Sequence, residues 1–209
     1  MNTEYSFTIY NSTEQLPSNW DSIAVTSVFL SKNYLKVLEQ SSPENMICHY
    51  IGIFKKGKLV SIALCQFLDL NKLESFGERD KCIKTTVRNL VFKNFASQVL
   101  VVGNNMLTGQ NAYALLNEIE EKTVIALLHE ATKELKKQYK SKGITIHIST
   151  YKDFSKTQIE NFETCEFKND YQFSTQPNMI FYINENWKIE QDYIDSLSKK
   201  YRNQYKRAR

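Results

Sequence analysis

Polar and apolar residues alternate through Tyr5-Ser6-Phe7-Thr8-Ile9-Tyr10, the two-residue period of a strand with one covered face. A turn at Pro17 follows, and then Phe29, Tyr34, Leu35 and Leu38 recur at helical spacing behind a cap at Ser27 or Ser31, with Ser42-Pro43-Glu44-Asn45 closing that helix. Cys48 to Phe54 and Leu59 to Leu68 are two β-rich runs joined by Lys55-Lys56-Gly57-Lys58, which predicts a hairpin. From Asn71 to Phe95 the pattern is mixed and basic, and Cys82, Ile83, Val87, Leu90 and Val91 suggest a helix within it.

Gln98-Val99-Leu100-Val101-Val102 is different in kind. It is a short, continuous, β-branched apolar run, the pattern of a strand covered on both faces and therefore central in its sheet. The run stops at Gly103. Beyond the loop Gly103 to Gln110 the spacing predicts a long helix from about Ala112 to Tyr139, with Leu115, Leu116, Ile119, Val124, Leu127, Leu128 and Leu135 as its apolar positions and Lys142-Gly143 as its end. Ile144 to Ile148 alternates and predicts a strand reached by a crossover, hence parallel to its neighbour. Asp153 or Ser155 then caps a shorter helix with Ile159, Phe162 and Cys165 inward. Tyr171 to Thr175 and Asn178 to Ile183 read as two more strands, and the Gln176-Pro177 step between them suits an edge or hinge. In Trp187 to Arg209, Ile189, Tyr193, Ile194, Leu197, Tyr201 and Tyr205 fall at helical spacing. The expected architecture is an α/β chain with a mixed central sheet, flanking helices and a basic C-terminal helix, divided into a body over 1–184 and a connector over 185–209.

Composition narrows the class. With 42% hydrophobic and 24% charged residues, six Gly and three Pro, the 209-residue chain is neither disordered nor low-complexity, and it suits one sizeable core. Its four cysteines are widely spaced without a C-x-x-C pair, so buried free thiols are expected rather than a disulfide framework. Met1 to Tyr10 lacks the basic start and apolar run of a signal peptide, and no stretch reaches the ~18 apolar residues of a membrane span, so the cytoplasm is the expected compartment. The net charge is +4, but the last eleven residues hold six cations and no acid, which leaves the rest of the chain at −2. A near-neutral body with a basic end does not resemble a DNA-binding domain, whose cations spread over one face.

The order strand, helix, hairpin, insert, buried strand, glycine loop, long helix, strand, short helix and two strands resembles the GNAT acyltransferase superfamily, over roughly Tyr5 to Ile183. That resemblance implies transfer of an acyl group, acetyl or aminoacyl, to an amine. It also implies acetyl-CoA or another acyl-CoA or aminoacyl donor. In such folds the loop between the buried strand and the long helix holds the pyrophosphate of coenzyme A, so the resemblance assigns the cofactor to Gly103, Asn104, Asn105, Thr108, Gly109 and Gln110. Backbone N–H groups and the positive end of the helix dipole supply the physical reason. The family's phosphate string of Gln or Arg, two residues, Gly, one residue, then Gly or Ala does not occur in this loop. Family members also often carry Leu-Tyr-Glu-Lys-Leu-Gly-Phe, whose Tyr protonates the departing thiolate. Here Asn161-Phe162-Glu163-Thr164-Cys165-Glu166-Phe167 puts a ring with no proton at that position, so no catalytic residue is assigned.

A second likeness lies at the end of the chain. Leu197 to Arg209 resembles the Ser-Lys-Arg-rich connector of Fem-type peptidoglycan aminoacyltransferases and their relatives, which pair two GNAT-like halves. This implies that the chain is the first half, that a second GNAT-like half follows, and that the acceptor is a small-molecule or cell-envelope-precursor amine. The run reaches Arg209 without a cap, Gly or Pro, as expected of a helix that continues. Tyr151 and Asp153, just past a strand end, are the polar candidates for holding the acceptor amine. Plainer readings stand beside these. The glycine loop also reads as a simple turn, Asp153 as a helix cap, His147 as a satisfied structural histidine, and the basic run as a solvated helix face. No Cys, His and acid cluster has metal-ligand spacing. A catalytically silent GNAT-like binding or scaffolding module is the alternative function.

Overall fold

The computed structural model describes residues 4–72, 91, 93–163, 167, 170–172 and 181–208. Most of the helix expected within 71–95, together with Cys165 and most of the strands expected over 171–183, lies outside those residues. By contacts the chain divides into two units, Met1–Tyr171 and Gln172–Arg209.

A six-stranded mixed sheet organises the first unit. Strand β2 (Met46–Lys55) pairs antiparallel with β1 (Tyr5–Tyr10) on one side and with β3 (Lys58–Asp69) on the other. The predicted hairpin closes on Lys56 and Gly57, whose φ angles of 47° and 82° define a two-residue turn of the type whose twist matches the flanking strands. β4 (Gln98–Val102) pairs antiparallel with Cys65–Asp69 of β3, and β6 (Ile148–Tyr151) pairs parallel with β4. The apolar run 98–102 is therefore central, as its pattern predicts.

Helices cover both faces. On one side α1 (Lys32–Ser41), capped by Ser31 Oγ accepting from the Tyr34 N–H at 3.4 Å, and short 3₁₀ turns between Thr13 and Leu30 bury Trp20, Leu30 and Leu35 against Tyr50, Ile62, Leu64 and Val101. On the other, α2 (Glu121–Ser141) lays Val124, Leu128, Ala131 and Leu135 on Ile51, Ile53, Cys65, Leu100 and Val102. A shorter helix, α3 (Lys156–Glu163), follows β6. Alternate residues of each strand thus feed opposite cores, which is why Val99 to Val102 of β4 reads as an unbroken apolar run and β3 is buried on both faces.

Three expectations are corrected. Helix α2 begins at Glu121, not at Ala112, because Tyr113–Leu115 forms strand β5, antiparallel to Ser61–Ala63 of β3. The strand expected over 144–148 is β6 over Ile148–Tyr151 instead, since the Ile144 N–H bonds back to the Tyr139 carbonyl at 3.0 Å and keeps the chain on the helix end. The C-terminal helix is two helices, α4 (Glu190–Ser196) and α5 (Lys199–Ala208), broken at Leu197, whose backbone is extended. Arg202 Nη2 donates to the Asp195 and Leu197 carbonyls at 2.7 and 3.1 Å, satisfying the end of α4. Tyr171, Gln172 and 181–183 are described and lie in no strand. Among the described residues no helix is long and apolar enough to cross a membrane.

Candidate functional site

The loop between β4 and β5 leaves and rejoins a single strand. The Gly103 N–H donates to the Leu64 carbonyl at 3.0 Å, and the Leu64 N–H donates to the Ala112 carbonyl at 2.8 Å. Gly103 has a φ of 127°, where an L side chain is strained, and a Cβ there would stand 3.4 Å from the Lys152 Cβ. Of the residues expected to cradle phosphate, Gly103, Asn104 and Asn105 are tied into the fold. Asn104 is buried, donates from Nδ2 to the Tyr34 hydroxyl at 2.9 Å and accepts the Met106 N–H on Oδ1 at 2.9 Å. The Asn105 N–H donates to Oε1 of the fully buried Gln66 at 2.6 Å, and the Leu107 N–H returns to the Asn104 carbonyl at 3.3 Å. Thr108 and Gly109 accept from Asn111 Nδ2 at 3.1 and 3.2 Å. Gly103, Asn105, Met106 and Leu107 accordingly have their N–H groups engaged inside the protein, so they form no open nest for an anion.

The loop does meet the end of β6, through a residue that sequence reasoning passed over. Lys152 Nζ donates to the Leu107 carbonyl at 2.5 Å and pairs with the Asp153 carboxylate. Asp153, held at a φ of 60°, thus neutralises a lysine and does not cap α3; Ser155 precedes that helix, and its carbonyl accepts the Gln158 and Ile159 N–H groups. Tyr151 goes elsewhere. Its hydroxyl lies 3.1 Å from Thr132 Oγ1, its ring packs on Phe162 and Phe167, and burial pushes its phenol pKa up. The two acceptor candidates therefore do not converge on one point.

At the start of α2 the chain supplies its own anion. The Glu121 carboxylate accepts from the Tyr113 hydroxyl at 2.5 Å, from Gln158 Nε2 at 2.8 Å and from Asn161 Nδ2 at 2.8 Å. Desolvation, then this carboxylate, raises the Tyr113 pKa. An acid in the first turn suits the positive helix pole, and Glu118 and Glu120 flank it, with Glu118 paired to Lys58 at 2.6 Å. The site expected to be one notch is thus two places: a glycine loop with no helix behind it, and a helix start filled by carboxylates.

No family model, curated protein or solved structure matches the chain.

The remaining candidates take structural roles. Phe162 packs edge-on against Phe154 with ring centroids 4.4 Å apart, inside an aromatic group with Tyr151 and Phe167. The His147 backbone N–H donates to the Gln98 carbonyl at 2.8 Å, extending the β4–β6 ladder, while the ring Nδ1 accepts the Gln98 backbone N–H at 3.2 Å. Cys48 and Cys65 are buried free thiols, and burial raises the pKa of both, away from nucleophile chemistry. His49 is buried between Asn11 and Tyr139. Its Nδ1–H donates to Asn11 Oδ1 at 2.8 Å and its Nε2 accepts the Tyr139 hydroxyl at 2.7 Å, while desolvation and Lys142 hold its pKa down to about 4. Among the described residues no group of His, Cys, Asp and Glu could hold a metal ion.

Proposed function

We propose that the chain is a GNAT-like recognition module, catalytically silent by itself, that works within a larger N-acyltransferase acting on an amine. The observation that carries this reading is the Glu121 carboxylate, hydrogen-bonded by Tyr113, Gln158 and Asn161 at the first turn of α2. A phosphate brought there would meet Glu120 and Glu121 instead of open N–H donors, and like charges at close range repel. Phe162 agrees with it, because a ring packed among Tyr151, Phe154 and Phe167 has no proton for a thiolate. Acyl donor and chemistry would then belong to a partnering GNAT-like half, with the basic α5 between the two and a small-molecule or cell-envelope-precursor amine as acceptor.

The test is coenzyme A itself. About 1 mM coenzyme A or acetyl-CoA should leave the melting temperature unchanged, since a ligand stabilises only in proportion to its occupancy. A saturable rise would overturn the silent reading. It would favour a second one, in which the loop takes the donor, supported by the Lys152 ammonium beside the Leu107 carbonyl. Lys152→Met would then abolish the rise.

A further inference from the structure

The C-terminal unit contains two helices that bury almost nothing. α4 buries Ile194, and the ten-residue α5 has no buried residue. So short a helix is marginal in water by itself, because nucleation is costly and the packing of an apolar face normally offsets it. α5 has such a face. Tyr201, Tyr205 and Ala208, at spacings of four and three, line an open groove of about 320 Å³ together with Tyr193 of α4 and Leu197 at the break. The aromatic surface continues beyond the groove: Tyr205 meets Tyr193 edge-on, Tyr193 meets Trp187, and Trp187 stacks on Phe181, with ring centroids 6.3, 5.4 and 6.0 Å apart. Phe181, Tyr182, Ile183, Ile189 and Tyr201 are each more than half exposed.

Charge is segregated around this surface. From Gln172 onward the chain has seven cations and four acids, and no acid lies beyond Asp195. Asp192 accepts the Lys188 and Ile189 N–H groups, and Glu190 accepts from the Tyr205 hydroxyl. Arg202 is committed to the end of α4. Lys199, Lys200, Lys206 and Arg207 are exposed, and the ion pairs among the described residues include none of them. At about 100° per residue, Lys200 and Arg207 run along one flank of the tyrosine face and Lys206 along the other. Lys200 Nζ lies 5.7 Å from the Tyr201 ring centroid, so cation and ring adjoin.

We propose that this unit is a peripheral membrane anchor that lies on a bilayer rich in anionic phospholipid. Tyr201 and the stretch Phe181 to Ile183 would sit at headgroup depth, with Lys200, Lys206 and Arg207 against lipid phosphates. An apolar helix face flanked by cations suits that boundary, because the rings stay among the acyl and headgroup atoms while the long side chains reach outward to the phosphates. The exposed Ile183 and Ile189 select a bilayer over a nucleic acid, which would use the cations and rings but gains nothing from aliphatic side chains.

The test is co-sedimentation of the whole chain with vesicles of phosphatidylcholine, alone or with about one third phosphatidylglycerol. Binding should be at least about tenfold tighter on the anionic vesicles and should fall several-fold as salt rises from about 0.1 to about 0.5 M. A variant carrying Lys199→Gln, Lys200→Gln, Lys206→Gln and Arg207→Gln, which spares Arg202, should bind about 100-fold more weakly. Ile183→Ser with Tyr201→Ser should lose about tenfold at unchanged circular dichroism. Trp187 reports insertion directly, since Trp20 is fully buried: emission should shift to the blue on anionic vesicles only. The lipid, salt and emission measurements use the unaltered chain, so they decide the matter even where a variant fails to fold. Equal binding to both vesicles, undiminished binding by a folded charge variant, or bound chain without the emission shift would overturn the proposal. Tighter binding to a single-stranded oligonucleotide than to anionic vesicles would overturn it too, and would assign the surface to nucleic acid.

Discussion

Helix α2 is fastened to the sheet at both ends by a tyrosine, but with opposite chemistry. At its amino end Tyr113 of β5 donates to a carboxylate that two side-chain amides of α3 also serve. At its carboxyl end Tyr139 donates to a neutral imidazole on β2, whose other nitrogen donates to Asn11. The charged fastening sits at the positive helix pole, where an acid is stabilised; the uncharged one is buried beside Lys142, which disfavours a second cation. The difference teaches why one end fails as an anion site and the other as a base. Each is already satisfied by its own neighbours.

Acid should break the carboxyl end first. The His49 pKa is about 4 in the folded chain against 6.5 as the ordinary value, so folding favours the neutral ring. That contribution is present in full above pH 6.5 and is lost as the pH falls towards 4, amounting to ~3 kcal/mol. Urea unfolding at stepped pH should show the loss. In His49→Gln the step over that window should disappear, and its persistence would place the titrating group elsewhere. At the amino end Glu121→Ala leaves three donors without their acceptor and should cost about 2 kcal/mol by urea unfolding, with Glu121→Gln recovering most of it. Equal losses in the two variants would mean that charge, not hydrogen bonding, makes the fastening.

The glycine loop belongs to neither end, and two smaller effects separate it from them. Gly103→Ala should destabilise by about 1–2 kcal/mol, because its φ of 127° strains any side chain, while leaving the pH profile unchanged. Lys152→Met should cost less than about 1 kcal/mol, as partly exposed ion pairs do. It should raise amide exchange at Leu107 and its neighbours, since the loop loses its link to the end of β6. Unchanged exchange would show that Gln66 and Tyr34 alone secure the loop.

What the sequence disclosed follows the strength of its periodicities. The β2–β3 hairpin and the central β4 are legible because alternation, a Lys-Gly turn and a β-branched run admit one reading. The start of α2 is not. Ala112 to Leu116 is apolar enough to continue a helix backwards, and the true N-cap, Glu120, offers no side-chain cap to mark the boundary. The 3₁₀ turns over Thr13 to Leu30 carry no long period and passed unseen. In the site, Gly103 was visible as a glycine ending an apolar run and has a positive φ; Asp153 was visible only as an acceptor candidate or helix cap, and its positive φ was not foreseen. Lys152, Gln66 and Tyr34 were not visible, since what makes them important is contact across the fold with residues 39 to 70 positions away, which no local pattern encodes.

Because β4 and β5 bond to one and the same edge of β3, the ten-residue detour between Val102 and Tyr113 is spliced into what is otherwise a continuous rail. Its length can drift, or its peptide bond between Thr108 and Gly109 be severed, while both stubs stay clamped on Leu64. The fold thereby keeps a spot where evolution or an engineer can graft new sequence without renegotiating the sheet.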